Sequence, residues 1–223
     1  HFQCQNIELF PKVIQQPHPP IWSAAVSPES FEYAAKRGIG VLAGPFKPWF
    51  MIKEDIKSYH QAWQKQNLID PNHQTQKPRV GMTLGIYCTK NKKQARTQAK
   101  AAFEWFYQQL FNQTKPILQQ LYASYEYYKK FGHLQSLLEK TINLTILESL
   151  GMAIVGDPEH CIKKLKTLES AGVDHLLCAI GAGVLPTELS RQSIQLIATE
   201  VMPEFHQRSP SRISSKQSPH SNA

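Results

Sequence analysis

The sequence predicts an α/β protein, a parallel β-sheet covered by helices. Two observations carry this. Short apolar runs alternate with amphipathic helical stretches, as expected for strands covered on their faces by helices. Helix-start and helix-stop residues punctuate the alternation, so the strand–helix boundaries can be read. Four strand–helix units follow one another, with extra helices between the third and fourth strands. Four such units equal half of a (β/α)8 TIM barrel, a fold that takes about 250 residues. A small open doubly wound sheet is the alternative.

The first strand is predicted over Ile21 to Val26, bounded by Pro20 and a turn at Ser27. Pro28 suits a first helical position, where its missing N–H costs nothing. That helix runs to about Arg37 and stops at Gly38. Val41 and Leu42 form a second strand, closed by Gly44 and Pro45. A helix follows over roughly Lys53 to Gln66, with Ile56, Tyr59, Ala62 and Trp63 on one face. The third strand is Val80 to Tyr87. Its helix spans about Lys92 to Phe111, with Ala95, Ala99, Ala102, Phe103 and Phe106 on one side. Two further helical stretches are predicted around residues 117–130 and 134–149. Asp157 and Pro158 start the next helix as N-cap and first turn. It carries Ile162, Leu165 and Leu168 and ends at Gly172. Val173 to Ile180 is the fourth strand, and Thr187 to Val201 the last helix. Residues 1–206 are thus expected to form the domain, and 207–223 a disordered, basic, Ser-rich tail.

Composition narrows the function class. The chain has 223 residues, 41% hydrophobic and 19% charged, which favours a globular core over disorder. It begins at His1 and shows no charged, apolar and small-residue succession of a signal peptide. No apolar run is long enough to span a bilayer. Cys4, Cys88, Cys161 and Cys178 have no metal-ligand spacing, so reduced thiols, a cytoplasmic location and no metal are expected. The net charge is +8. Lys47 to Lys100 holds eleven Lys or Arg against three acids, and the tail adds Arg208, Arg212 and Lys216. No aromatic stacking motif is interleaved, so this reads as a solvated outer face rather than a nucleic-acid or membrane surface.

In both α/β architectures ligands sit at the C-terminal ends of the strands. The first such turn, "AVSPES", puts Ser27 and Ser30 at a helix N-terminus. Backbone N–H groups and a partial positive charge there suit a phosphate, although Ser27 also reads as an ordinary N-cap. The second, "LAGPF", has small residues that permit either a flat ligand or a tight turn. Thr89 and Lys90 after the third strand read as a solvated loop. Gly181 and Gly183 after the fourth suit a flexible connection or a phosphate. His175 reads as a packed or satisfied histidine within its strand. No Gly-x-Gly-x-x-Gly fingerprint, P-loop, Ser/His/Asp set or paired carboxylates stand out.

Several stretches together carry a resemblance. "QQPHPPIWSAAVSPESFEYAAKRGIGVL" and "GDPEHCIKKLKTLESAGVDHLLC" resemble the C-terminal half of luciferase-like flavin-dependent monooxygenases. "SPESFEYAAKRGIGVL" and "IQLIATEVMPEF" are similar to the subgroup associated with polyketide and nonribosomal peptide synthesis. The resemblance spans roughly residues 8–205. It implies a (β/α)8 barrel that binds reduced FMN and uses O2 as co-substrate to oxygenate a small organic molecule, with a flavin reductase as a possible source of reduced FMN. It assigns the phosphate to the Ser27 and Ser30 hydroxyls and the N–H groups of Val26 and Ser27. It places Leu42, Ala43 and Gly44 at the wall near the flavin ring. Related barrels use deazaflavin instead, so a deazaflavin-dependent oxidoreductase remains an alternative, as does a non-catalytic half-barrel binding a phosphate ligand or a partner chain. The resemblance further implies that this chain carries units five to eight, with units one to four and the catalytic residues outside it. A homo-oligomer or a separate first half is then expected to complete the barrel, and the chain alone is expected to be inactive.

Overall fold

A computed structural model describes residues 5, 7–8, 10–12, 14–15, 19–45, 47–69, 77–124, 129, 141–181 and 183–206. The predicted tail 207–223, Cys4 and residues 125–128, 130 and 134–140 of the helical stretches 117–130 and 134–149 lie outside these residues. The elements run β1 (Trp22–Ala25), α1 (Pro28–Lys36), β2 (Gly40–Ala43), α2 (Trp49–Ile69), β3 (Val80–Cys88), α3 (Lys92–Ser124) and α4 (Leu144–Ser149). They continue with β4 (Ala153–Gly156), α5 (Pro158–Ser170), β5 (His175–Ala179), α6 (Thr187–Leu196), a π-helical turn (Ile197–Val201) and α7 (Pro203–His206). The chain forms two compact units, one of His1–Leu84 with Ala171–Leu177 and one of Gly85–Ser170 with Cys178–Ala223.

In the first unit β1 pairs parallel with β2, Ala24 opposite Leu42 and Ala25 opposite Ala43. In turn β2 pairs parallel with the start of β3, Leu42 opposite Gly81. Side chains alternate between the two faces. Ala25, Val41, Ala43, Val80 and Met82 are buried with Phe31, Ala34 and Ala35 of α1 and with Ile52, Ile56 and Tyr59 of α2. On the opposite face Ala24 is exposed, and Trp22 and Leu42 are half-buried. There the Trp22 ring lies over Gly40, where an added Cβ would stand 2.7 Å from Trp22 Cε3, and Leu42 lies over Gly81, at 2.5 Å. His175 reads from the sequence as a packed or satisfied histidine. It is exposed, with its ring edge-on to Trp22 at 5.2 Å between centroids.

At the N-terminal ends of these strands, the Tyr59 hydroxyl donates to Ile39 O at 3.0 Å and accepts the Arg79 N–H at 3.2 Å. Asp174 ties β3 to the segment before β5. Its N–H donates to Val80 O at 2.8 Å and its carboxylate accepts the Val80 N–H at 2.8 Å.

The second unit is built on the end of β3, which pairs parallel with β4 from Gly85–Ala153 to Cys88–Gly156. Its core joins Tyr87 and Val155 of these strands to Ala95, Ala99, Phe103, Tyr107 and Phe111 of α3, Leu147 of α4 and Met152. The Tyr107 hydroxyl donates to Met152 O, and the Cys88 N–H donates to Ser193 Oγ at 2.9 Å. Among the described cysteines Cys88 and Cys161 are buried free thiols and Cys178 is an exposed one.

Two elements depart from the expectation of four strands with a break near Phe111. Ala153–Gly156 is a strand of its own, buried at all four positions, so the described residues form five strands rather than four. Four apolar residues running straight on from a helical pattern carry no period of their own. Helix α3 continues to Ser124 with Pro116 inside it. Pro116 cannot donate to the carbonyl of Asn112, but Asn112 is exposed, so water reaches that carbonyl. The Thr114 hydroxyl donates to Leu110 O at 2.8 Å within the same turn.

Candidate phosphate-binding turn

The turn after β1 is shaped by its own serines. Ser27 takes the extended conformation of an N-cap, with φ −98° and ψ 155°. Its side chain accepts the Ser30 N–H at 3.4 Å. Ser30, three residues on, answers from the other side. Its Oγ accepts the Val26 N–H and the Ser27 N–H, each at 3.1 Å, and donates to Ser27 O at 2.6 Å. This is a capping box with serine in place of the usual Glu or Gln. Pro28 brings no N–H to the turn. Val26, Ser27 and Ser30 are half-buried, so solvent reaches the turn.

Two adjacent amides therefore converge on one oxygen atom at the N-terminus of a nine-residue helix and the C-terminal end of a strand. An anionic oxygen is the strongest acceptor such a pair can hold, and the helix end adds partial positive charge. The donor set fits a phosphate monoester, whose oxygen would take the place of Ser30 Oγ as that hydroxyl rotates. Leu42 and Ala43 lie beside the turn's strand through their pairing with Ala24 and Ala25, and Gly44 follows them. Ala43 is buried on the helix-covered face, while Leu42 is half-buried on the opposite one. Thr89, Lys90, Gly181 and Gly183 belong to the second unit. There Thr89 Oγ1 donates to Asn91 O at 2.8 Å, a closure of its own loop.

Beneath the turn lies an ion pair, in a segment whose composition suits a solvated face. Lys47 is 4% exposed. Its Nζ donates to Val26 O at 2.6 Å and to the Asp55 carboxylate, which is also 4% exposed. Burial pushes the Lys47 ammonium down and the Asp55 carboxyl up, and each partner's hydrogen bond and charge counter the other's shift. The Phe31 ring lies 5.9 Å from the ammonium. No local pattern announces this pair, because Lys47 sits in the loop after β2 and Asp55 on α2.

A model of the luciferase-like monooxygenase family matches residues 1–175. The chain belongs to that family. Among its relatives, the oxygenase component of a flavin-dependent trigonelline monooxygenase from Acinetobacter baylyi is 24% identical over 201 residues, 87% of this chain. The oxygenating constituent of 3,6-diketocamphane monooxygenase from Pseudomonas putida, solved in complex with FMN, matches with a TM-score of 0.54 at 17% identity, over 83% of this chain and 49% of its own. A coenzyme F420-dependent tetrahydromethanopterin reductase from Methanopyrus kandleri matches with a TM-score of 0.51 at 16% identity, over 83% of this chain and 51% of its own. These structures share the mixed α/β fold of this family member. The chain spans about half the length of the curated relatives it matches, 53% and 51%. Among the described residues no helix is long and apolar enough to cross a membrane.

Proposed function

We propose that this chain supplies the C-terminal half of a (β/α)8 barrel in an FMN-dependent monooxygenase, and that its Val26–Ser30 turn holds the FMN phosphate. The convergence of the Val26 and Ser27 N–H groups on one acceptor position carries this reading. Helix N-termini at strand C-terminal ends are where α/β folds bind phosphate. Ser27 and Ser30 would add hydroxyl donors, and the Leu42 side chain with the Ala43–Gly44 backbone the wall beside the flavin ring, since the Ala43 side chain faces the helices. Reduced FMN, when bound, supplies the electrons that activate O2 toward an organic substrate. The chain's own contribution is to grip and orient the phosphate end of the cofactor. The half-exposed face with Trp22, Ala24 and Leu42 is the side that would turn into a closed barrel. A first half, or a second copy of this chain, would cover it. A flavin reductase would deliver the reduced cofactor.

Titration of FMN into the purified chain, followed by flavin fluorescence quenching, tests the site. The Ser27→Ala/Ser30→Ala variant should lose up to about 3–6 kcal/mol, two hydrogen bonds to a charged ligand, less what the Val26 and Ser27 amides return once Ser30 Oγ no longer competes for them. Unchanged affinity in that folded variant would sink the assignment. Binding without turnover under NADH, flavin reductase and O2 would make the chain by itself a non-catalytic half-barrel. A second reading, deazaflavin in place of FMN, is supported by the F420-dependent structural neighbour. A parallel titration with F420 separates the two.

A further inference from the structure

We infer that Lys47 is a positioning residue for the phosphate turn, aiming the Ser27 N–H by holding the carbonyl on the other side of the same peptide group. The inference rests on the reading of the turn as a phosphate site. The Val26 carbonyl and the Ser27 N–H belong to one planar trans peptide, so they point in opposite directions. Lys47 Nζ lies 2.6 Å from that carbonyl oxygen. The Ser27 N–H lies 3.1 Å from Ser30 Oγ, the position a phosphate oxygen would take. Anchoring one end of the peptide plane fixes the direction of the other. An ammonium on the carbonyl also polarises the amide and strengthens its N–H as a donor.

The surroundings suit an anchor better than a charge lure. The Asp55 carboxylate pairs with the Lys47 ammonium, and both side chains are buried, 4% and 5% exposed. Their charges offset one another, so little net attraction reaches a ligand outside. A buried ion pair is also weak evidence for stability, because apolar residues of similar volume often replace one at no cost. What remains distinctive here is the geometric hold on a single carbonyl at the head of α1. Glu29, in the first turn of α1, is the other acidic group that acts on both members of the pair.

The test compares FMN with riboflavin, which lacks the phosphate. Two variants are used, Lys47→Met/Asp55→Leu and the milder Lys47→Gln/Asp55→Asn. Neither leaves a lone buried charge, and neither retains an ammonium to hold Val26 O. Melting curves establish folding, and fluorescence quenching gives both affinities. The expected result is a wild-type preference for FMN that falls tenfold or more in the variants, with riboflavin affinity unchanged. A purely structural role would shift both ligands together. A folded variant that keeps the wild-type ratio overturns the inference and leaves the phosphate turn standing. A wild-type chain with no preference for FMN overturns the turn's reading itself. Failure of both variants to fold makes Lys47 a folding residue and likewise overturns the positioning role.

Discussion

Ser27 and Ser30 are bonded to each other in both directions, and the two directions are unequal. The Ser30 hydroxyl donates to Ser27 O at 2.6 Å and accepts the Ser27 N–H at 3.1 Å, while Ser27 Oγ accepts the Ser30 N–H only at 3.4 Å. The last distance is long for N–H···O. Ser30 also takes the Val26 N–H. Ser30→Ala should therefore cost more than Ser27→Ala. The lost cap is worth about 1 kcal/mol. Two amides left without their acceptor cost about 1–3 kcal/mol, with water making up part because the turn is half-exposed. Urea denaturation of the ligand-free proteins checks the order, and a larger loss for Ser27→Ala would contradict it. Inorganic phosphate should restore part of the Ser30→Ala loss, since an anion can take both amides.

Gly85 and Phe103 should show strong coupling. A Cβ on Gly85 would stand 2.8 Å from Phe103 Cε1, and Phe103 is fully buried. Gly85→Ala alone should destabilise by about 1–3 kcal/mol through overpacking. Phe103→Leu vacates the ring's edge. The double variant should then be more stable than the sum of the two single costs predicts. A double-mutant cycle by denaturant melts measures the coupling, and strict additivity would mean that the ring does not lie on Gly85.

How legible these features were in the sequence depends on how local their physics is. The Ser27 cap, Pro28 in the first turn and the stop at Gly38 are settled within a few residues, and α1 spans Pro28–Lys36, close to the expected end at Arg37. The apolar period of α2 is clear only from about Lys53. The helix begins at Trp49, directly after Pro48, which suits the residue ahead of a first turn. Ala153–Gly156 became a strand because β3 offers it a ladder, and that partner lies more than sixty residues earlier. The Lys47–Asp55 pair spans only eight residues, but it joins a loop to a helix, and no helical or strand period links the two positions. Lysine composition along a segment says nothing about which lysine a buried carboxylate will capture. The capping turn was thus readable as a pair of serines, but not the buried cation behind it.

Gly172 should resist replacement for two reasons that add. Its φ is +99°, a conformation that side chains rarely adopt, and an added Cβ would stand 2.8 Å from His60 Nε2. Gly172→Ala should cost about 1–2 kcal/mol for the backbone alone. His60→Ala in the same chain should recover the steric part and leave the backbone part. Thermal melts of the single and double variants separate the two contributions. A Gly172→Ala protein as stable as wild type would show that the turn before β5 relaxes freely.

Tyr59 should give the protein an alkaline weakness. Burial pushes its hydroxyl up to about 12 from an ordinary value near 10. Between those pH values the unfolded chain releases the proton and the native state keeps it. The native state then binds more protons, so stability falls as pH rises from 10 to 12. Two pKa units correspond to about 2–3 kcal/mol. The group is fully buried, so solvent screening removes little of this. Tyr59→Phe has no proton to release. It should be less stable than wild type at pH 8 by about 1–2 kcal/mol, because its bonds to Ile39 O and the Arg79 N–H are gone. Its stability should nevertheless decline less steeply than wild type between pH 10 and 12, and the two curves should converge. Urea melts at one-unit steps from pH 8 to pH 12 read this directly. Parallel curves would mean that the Tyr59 hydroxyl titrates in the folded protein as it does in water.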